Sequence, residues 1–154
     1  MISLQFSALN DIASEAIKLF ERSWCSHVDA ILPDGTLLGA RADIYGNVPA
    51  GVQIRAPGYA PFTRTLVVQL ATTDAQEAAW MVFLDTQIGK PYDMLAIAAF
   101  AVARDWREPN SWFCSELIAA ALEKCGWFPK PLAEAANEIT PRDLLLAVSA
   151  WGVS

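Results

Sequence analysis

The chain contains one histidine, His27, and that single residue limits the chemistry open to it. His27 heads an alternating run, Ser26-His27-Val28-Asp29-Ala30-Ile31-Leu32, which reads as a strand. Far downstream, Cys114 opens a helix-like segment, Trp112-Phe113-Cys114-Ser115-Glu116-Leu117-Ile118. A cysteine nucleophile needs a base, and histidine is the usual one. A cysteine–histidine pairing in this chain can therefore only join Cys114, or one of the other cysteines, to His27.

The sequence puts Cys114 in the first turn of a helix predicted over about 112–125, with Ser111 as its cap and Gly126 as its stop. A helix N-terminus stabilises a thiolate and offers backbone N–H groups to a developing oxyanion. The alternative is a small buried hydrophobe, the common state of a free cysteine. Cys125, near the other end of that helix, meets the unfavourable end of the dipole and reads as structural. Cys25 lies two residues from His27 but has no helix terminus to activate it. Asp29 also lies two residues from His27, on the same strand face, where it could fix the imidazole tautomer or simply be solvated. Gly89-Lys90-Pro91-Tyr92-Asp93 separates two predicted helices. It is either a plain connector or a segment that lets the Tyr92 hydroxyl line a site.

These residues need elements to position them. Asn10 caps a helix over about 11–22, with Ile12, Ala16, Leu19 and Phe20 near one face. A hairpin follows: residues 27–32, a Pro33-Asp34-Gly35 turn, then residues 36–42. After a loop over 43–50 come strands at 51–55 and 64–70, separated by Pro57, Gly58 and Pro61. Thr73-Asp74-Ala75-Gln76 is a capping box opening a helix to about Ile88, which Gly89 ends. A helix over 94–103, a charged loop over 104–110 and a last helix from Thr140-Pro141-Arg142-Asp143 to about 149 complete the chain. Clustered strands followed by clustered helices predict an α+β domain with an antiparallel sheet. With no linker or repeat, residues 1–154 read as a single domain.

Composition narrows the partners. A net charge of −6, with no basic run, argues against nucleic acid. Three cysteines without a CxxC spacing argue against a disulfide framework or a CxxC zinc site. A metal held by Cys25, His27 and Cys114 would lack an evident fourth ligand. The apolar run over 94–103 is too short to span a bilayer, so no integral membrane segment is expected. It reads as a buried helix or as the wall of an apolar substrate pocket. Met1-Ile2-Ser3-Leu4-Gln5-Phe6 is no secretory signal. That implies residence in the cytoplasm, with a phage-encoded or otherwise exported protein as the alternative.

Taken together, these residues resemble the papain-like NlpC-type superfamily, in particular its circularly permuted YaeF/YiiX-like branch. In that branch the histidine strand precedes the cysteine helix. Ser26-His27-Val28 with Pro33-Asp34-Gly35 resembles the histidine hairpin, and Gly89-Lys90-Pro91-Tyr92-Asp93 the Gly-x-Pro-Tyr-Asp motif. Phe113-Cys114-Ser115-Glu116-Leu117-Ile118 resembles the aromatic-Cys-Ser-Glu-Leu nucleophile motif, and Ile139-Thr140-Pro141 a tail often found after it. The resemblance spans about residues 20–146. It implies a permuted papain-like fold with an antiparallel sheet against helices, and a cysteine amidase or peptidase acting through a thioester. Cys114 would be the nucleophile and His27 the base. The Cys114 N–H, with Tyr92, would hold the oxyanion, and Asp29 would orient the ring. No metal or organic cofactor is implied. The substrate would contain a peptide, amide or ester bond, with cell-wall peptides and isopeptide-like amides as candidates. An acyl hydrolase or acyltransferase on lipid-like esters is the second enzymatic reading, and a non-catalytic binding or structural module the third. One departure stands out. The family's third polar residue, on the strand after the histidine strand, falls near Gly39, beside Ala40 and Arg41. Asp29 or a water could take its place, and Asp43 is nearby.

Overall fold

The structure is a computed structural model that describes residues 1–10, 12–44, 47–93, 110–132 and 135–151. The predicted helix over 94–103 and the loop after it, up to residue 109, lie outside the described residues. The fold is α+β. Strands β1 (Ile2–Ala8), β2 (His27–Ile31), β3 (Leu37–Arg41), β4 (Gly51–Arg55) and β5 (Arg64–Leu70) form one antiparallel sheet in the order β4-β3-β2-β1-β5. Four helices are described: α1 (Ile12–Glu21), α2 (Asp74–Gln87), α3 (Cys114–Lys124) and α4 (Pro141–Trp151).

Strand β1, which the sequence pattern does not announce, lies inside the sheet between β2 and β5. Its alternation places Leu4 and Phe6 in the core while Ser3, Gln5 and Ser7 project the other way. The same alternation sends Val28, Ala30, Leu38, Ala40 and Val52 to the core face. There they meet Trp80 and Leu84 of α2, Leu117, Ile118 and Leu122 of α3, and Leu144 and Val148 of α4. The β2–β3 turn forms as its residues dictate. The backbone N–H of Leu32 donates to the carbonyl of Thr36 (2.8 Å), Asp34 accepts from the Thr36 N–H (2.9 Å), and Gly35 takes φ +84°. Helix α2 starts at the Thr73–Gln76 capping box and stops before Gly89, at φ +86°.

Two local expectations are corrected. Leu19, expected near one face with Ile12, Ala16 and Phe20, is 82% exposed; the buried side of α1 runs through Ser14 and Ile17. The Lys18 ammonium also turns inward, to the carbonyl of Leu9 (2.9 Å), which fixes that rotation. Ser111 does not cap α3. The strap described below keeps the chain extended through Phe113 (φ −84°, ψ 155°), so the helix begins two residues later, at Cys114.

Candidate active site

His27 and Asp29 alternate onto the same face of β2, and their side chains meet. His27 Nε2 lies 2.9 Å from Asp29 Oδ1. Both are buried, His27 to 5% exposure and Asp29 to 0%. Space for the carboxylate comes from β3. A Cβ on Gly39 would sit 1.9 Å from Asp29 Oδ1 and 3.1 Å from its Cγ. The Asp29 carboxylate thus occupies the space that a side chain at position 39 would take, and only glycine leaves room for it. Asp43 does not play this part. It is held in a two-point ion pair by Arg41, with Nε at 2.7 Å and Nη2 at 2.8 Å from its two oxygens.

Tyr59, which no motif had singled out, completes the group. Its hydroxyl donates to Asp29 Oδ2 (3.0 Å) and lies 3.2 Å from His27 Nε2. Its ring has the guanidinium carbons of Arg41 and Arg55 each 5.5 Å from its centroid. Arg55 is 2% exposed and donates to the carbonyls of Gly39 (3.0 Å), Pro49 (3.2 Å) and Gly51 (3.3 Å). Neither Tyr59 nor Arg55 carries a sequence signal. Tyr59 sits in a Pro/Gly-broken segment, and Arg55 ends an ordinary short strand.

The electrostatics define protonation states. Burial alone would raise the Asp29 carboxyl. The adjoining His27 and the hydrogen bonds from His27 and Tyr59 outweigh it and hold the group below its usual range. Burial pushes His27 below its ordinary 6.5. Asp29 opposes that shift without reversing it, and Arg41 and Arg55 add to it. The pair at neutral pH is a carboxylate beside a neutral imidazole. An ionised carboxylate can only accept, so Nε2 carries the ring proton and Nδ1 keeps a lone pair.

The second group forms around the cysteine helix. Tyr92 and Trp112 form a parallel bridge. The Trp112 N–H donates to the Pro91 carbonyl, and the Asp93 N–H to the Trp112 carbonyl, each at 3.0 Å. The preceding residues are tied to β4: the Val52 N–H donates to the Lys90 carbonyl (2.9 Å) and the Gly89 N–H to the Val52 carbonyl (2.8 Å). A Cβ on Gly51 would lie 2.4 Å from that Lys90 oxygen, so this close approach requires glycine. The Gly89–Asp93 segment is therefore a strap between the sheet and the start of α3, not a plain connector.

Cys114 is the first residue of α3, where backbone N–H groups have no intrahelical partner. Glu116 turns back to accept the Phe113 N–H (3.2 Å). Ser115 donates to the Ile139 carbonyl (2.6 Å), which gives the Ile139-Thr140-Pro141 tail a structural task. Tyr92 packs against Phe113, with ring centroids 5.8 Å apart. Burial, and then the nearness of the Cys114 sulfur, push the Tyr92 phenol well above 10.0. It therefore stays protonated as a donor.

The structure thus assembles His27 with Asp29 and Tyr59, and Cys114 with Tyr92 and Phe113. Helix α3 packs across β2 and β3. The charges of Arg41 and Asp43 act on both His27 and Tyr92. The ring's hydrogen-bond partners among the described residues are Asp29 and Tyr59, both at Nε2, and Cys114 is not one of them. Cys25 and Cys125 are buried, and Cys25 Sγ donates to the His27 carbonyl (3.5 Å). Among the described residues no group of three or more His, Cys, Asp or Glu side chains could hold a metal ion. No described helix is long and apolar enough to cross a membrane. No family model matches the chain, and no curated protein matches it either.

Proposed function

We propose that the chain is a cysteine-dependent hydrolase of amide bonds, built on a circularly permuted papain-like, NlpC-type fold. The observation that carries this reading is the buried Asp29–His27 pair, seated in the space that Gly39 leaves open. It supplies the orienter that the resemblance finds missing on the next strand, and it reserves Nδ1 of the ring for proton transfer. Burial keeps the imidazole neutral, the protonation state from which a general base accepts a proton.

In the proposed reaction Nδ1 of His27 takes the Cys114 thiol proton as Sγ attacks the carbonyl carbon. The tetrahedral oxyanion is held by the Cys114 backbone N–H and the Tyr92 hydroxyl. Collapse breaks the C–N bond, His27 returns the proton to the leaving amine, and a Cys114 thioester remains. His27 then deprotonates water, which attacks the thioester and releases the acid and the free thiol. Asp29 stabilises the imidazolium formed at both stages. The candidate substrate is a peptide or isopeptide-like amide.

The test is acyl capture. The protein is incubated with p-nitrophenyl acetate and mapped by peptide mass spectrometry. An acetyl thioester on Cys114, absent in His27→Ala, supports the reading. Acetylation that ignores Cys114, or a Cys114 adduct independent of His27, rejects it.

A further inference from the structure

Asp29 alone leaves the histidine incompletely fixed. A carboxylate that meets a ring nitrogen through one oxygen can still rotate about its own Cβ–Cγ bond. Tyr59 occupies the other oxygen. Its one hydroxyl proton goes to Asp29 Oδ2 at 3.0 Å, so the Tyr59 oxygen faces His27 Nε2 as an acceptor at 3.2 Å. With Asp29 Oδ1 at 2.9 Å, Nε2–H has two acceptors. Three side chains thereby close a ring of hydrogen bonds, and each bond constrains the other two.

Tyr59 is itself firmly held. Its ring has Arg41 and Arg55 at 5.5 Å and meets Phe62 edge-on at 5.2 Å. The segment that carries it is pinned by the Tyr59 N–H to the Ala56 carbonyl (3.2 Å) and the Thr63 N–H to the Ala8 carbonyl (2.9 Å). Arg55, anchored on carbonyls from β3, β4 and the loop before β4, ties this ring to the strand that carries Gly39. Burial and the Asp29 charge keep the phenol protonated, so the donor to Oδ2 is not lost at any ordinary pH.

We propose that Tyr59 is a positioning residue: by holding the second oxygen of Asp29 and accepting from Nε2–H, it locks His27 in the Nε2–H tautomer and keeps Nδ1 as the only basic nitrogen. The charged and titratable groups around the ring are then Asp29 from its own strand, Arg41 and Asp43 from β3 and just beyond it, Arg55 from β4, and Tyr59 itself. The catalytic consequence rests on the cysteine-hydrolase reading, but the tautomer does not, and the two can be tested apart.

His27 is the only histidine, so its ring signals in a 15N-labelled sample need no assignment. The parent at neutral pH should show the Nε2–H tautomer alone. Tyr59→Phe keeps the aromatic packing and removes only the hydroxyl. It should bring in the Nδ1–H tautomer, speed exchange of the Nε2 proton about tenfold, and slow Cys114 alkylation at neutral pH about tenfold. Tautomer and exchange effects without an alkylation effect would uphold the positioning role and reject the Cys114–His27 pairing. A parent in the Nδ1–H form, or a Tyr59→Phe spectrum unchanged in tautomer and exchange, would overturn the proposal. Should the variant melt too low to study, the parent decides through its Tyr59 hydroxyl proton: a slowly exchanging signal with a nuclear Overhauser contact to the His27 ring upholds the proposal, and a rapidly exchanging hydroxyl overturns it.

Discussion

Replacing Gly39 by alanine adds one methyl group, and the structure makes it one of the most damaging conservative changes available. The new Cβ would sit 1.9 Å from Asp29 Oδ1, while real Cβ contacts essentially never fall under 3.0 Å. The oxygen must therefore retreat by about 1 Å, enough to take it out of hydrogen-bond range of His27 Nε2. Asp29 cannot swing into water, because it is fully buried and its other oxygen is held by Tyr59. A buried carboxylate deprived of its partner costs about 3–5 kcal/mol. For a chain of this size each kcal/mol lowers Tm by roughly 2–4 °C, so a fall of about 10 °C is expected. The assay is a urea or thermal melt of four proteins: parent, Gly39→Ala, Asp29→Ala and the double variant. On the Asp29→Ala background the added methyl meets no carboxylate, so its cost should drop by at least about 2 kcal/mol, a coupling typical of residues in direct contact. A Gly39→Ala protein within about 0.5 kcal/mol of the parent, or additive effects in the cycle, would refute the argument that Gly39 exists to seat Asp29.

Three further outcomes are expected. Stability should fall on acidification in two stages. His27 and Asp29 both have folded pKa values below their ordinary 6.5 and 3.8, so the unfolded chain binds their protons first. Their contribution is complete above about pH 6.5. It declines as His27 protonates in the unfolded state, then again as pH falls below about 4; urea midpoints against pH in the parent and in His27→Gln should show the upper stage only in the parent. Tyr92→Phe removes the proposed oxyanion donor without touching the base, so acetyl-thioester formation should drop about 10²-fold while Cys114 alkylation stays at the parent rate. Ser115→Ala frees the Ile139 carbonyl, and a loss of about 1–2 kcal/mol in melting, with faster amide exchange over residues 136–140, is the expected reading.

Much of the scaffold is legible in the residues because local chemistry dictates it. The Thr73–Gln76 box, Gly89, the Pro33-Asp34-Gly35 turn and the Thr140–Asp143 cap lie where their side chains and φ preferences require. Strand β1 is hard to read because its alternation, Ile2-Leu4-Phe6 over Ser3-Gln5-Ser7, is short and has no turn signal before it. The start of α3 was misplaced because a non-local strap, Tyr92 against Trp112, overrides the capping potential of Ser111. The same limit governs the site. His27 and Asp29 were legible from their spacing of two on one strand. The meaning of Gly39 was not, since an absent side chain shows its purpose only once its neighbour is seen filling the space. Tyr59 reaches the pair from 30 residues downstream of Asp29 by the folding of a Pro/Gly-broken segment, and no periodicity encodes that.

The central claim is that His27 activates Cys114, and the most direct test is the rate of Cys114 alkylation by iodoacetamide against pH, read peptide by peptide so that Cys25 and Cys125 do not interfere. The account predicts a parent thiol that reacts at neutral pH faster than the ordinary ~8.5 titration allows, because neutral His27 takes its proton during attack, and an ordinary titration in His27→Ala. An ordinary titration, unmoved by the loss of the only histidine, would contradict it and leave the Asp29–His27–Tyr59 group as a structural device of a non-catalytic domain.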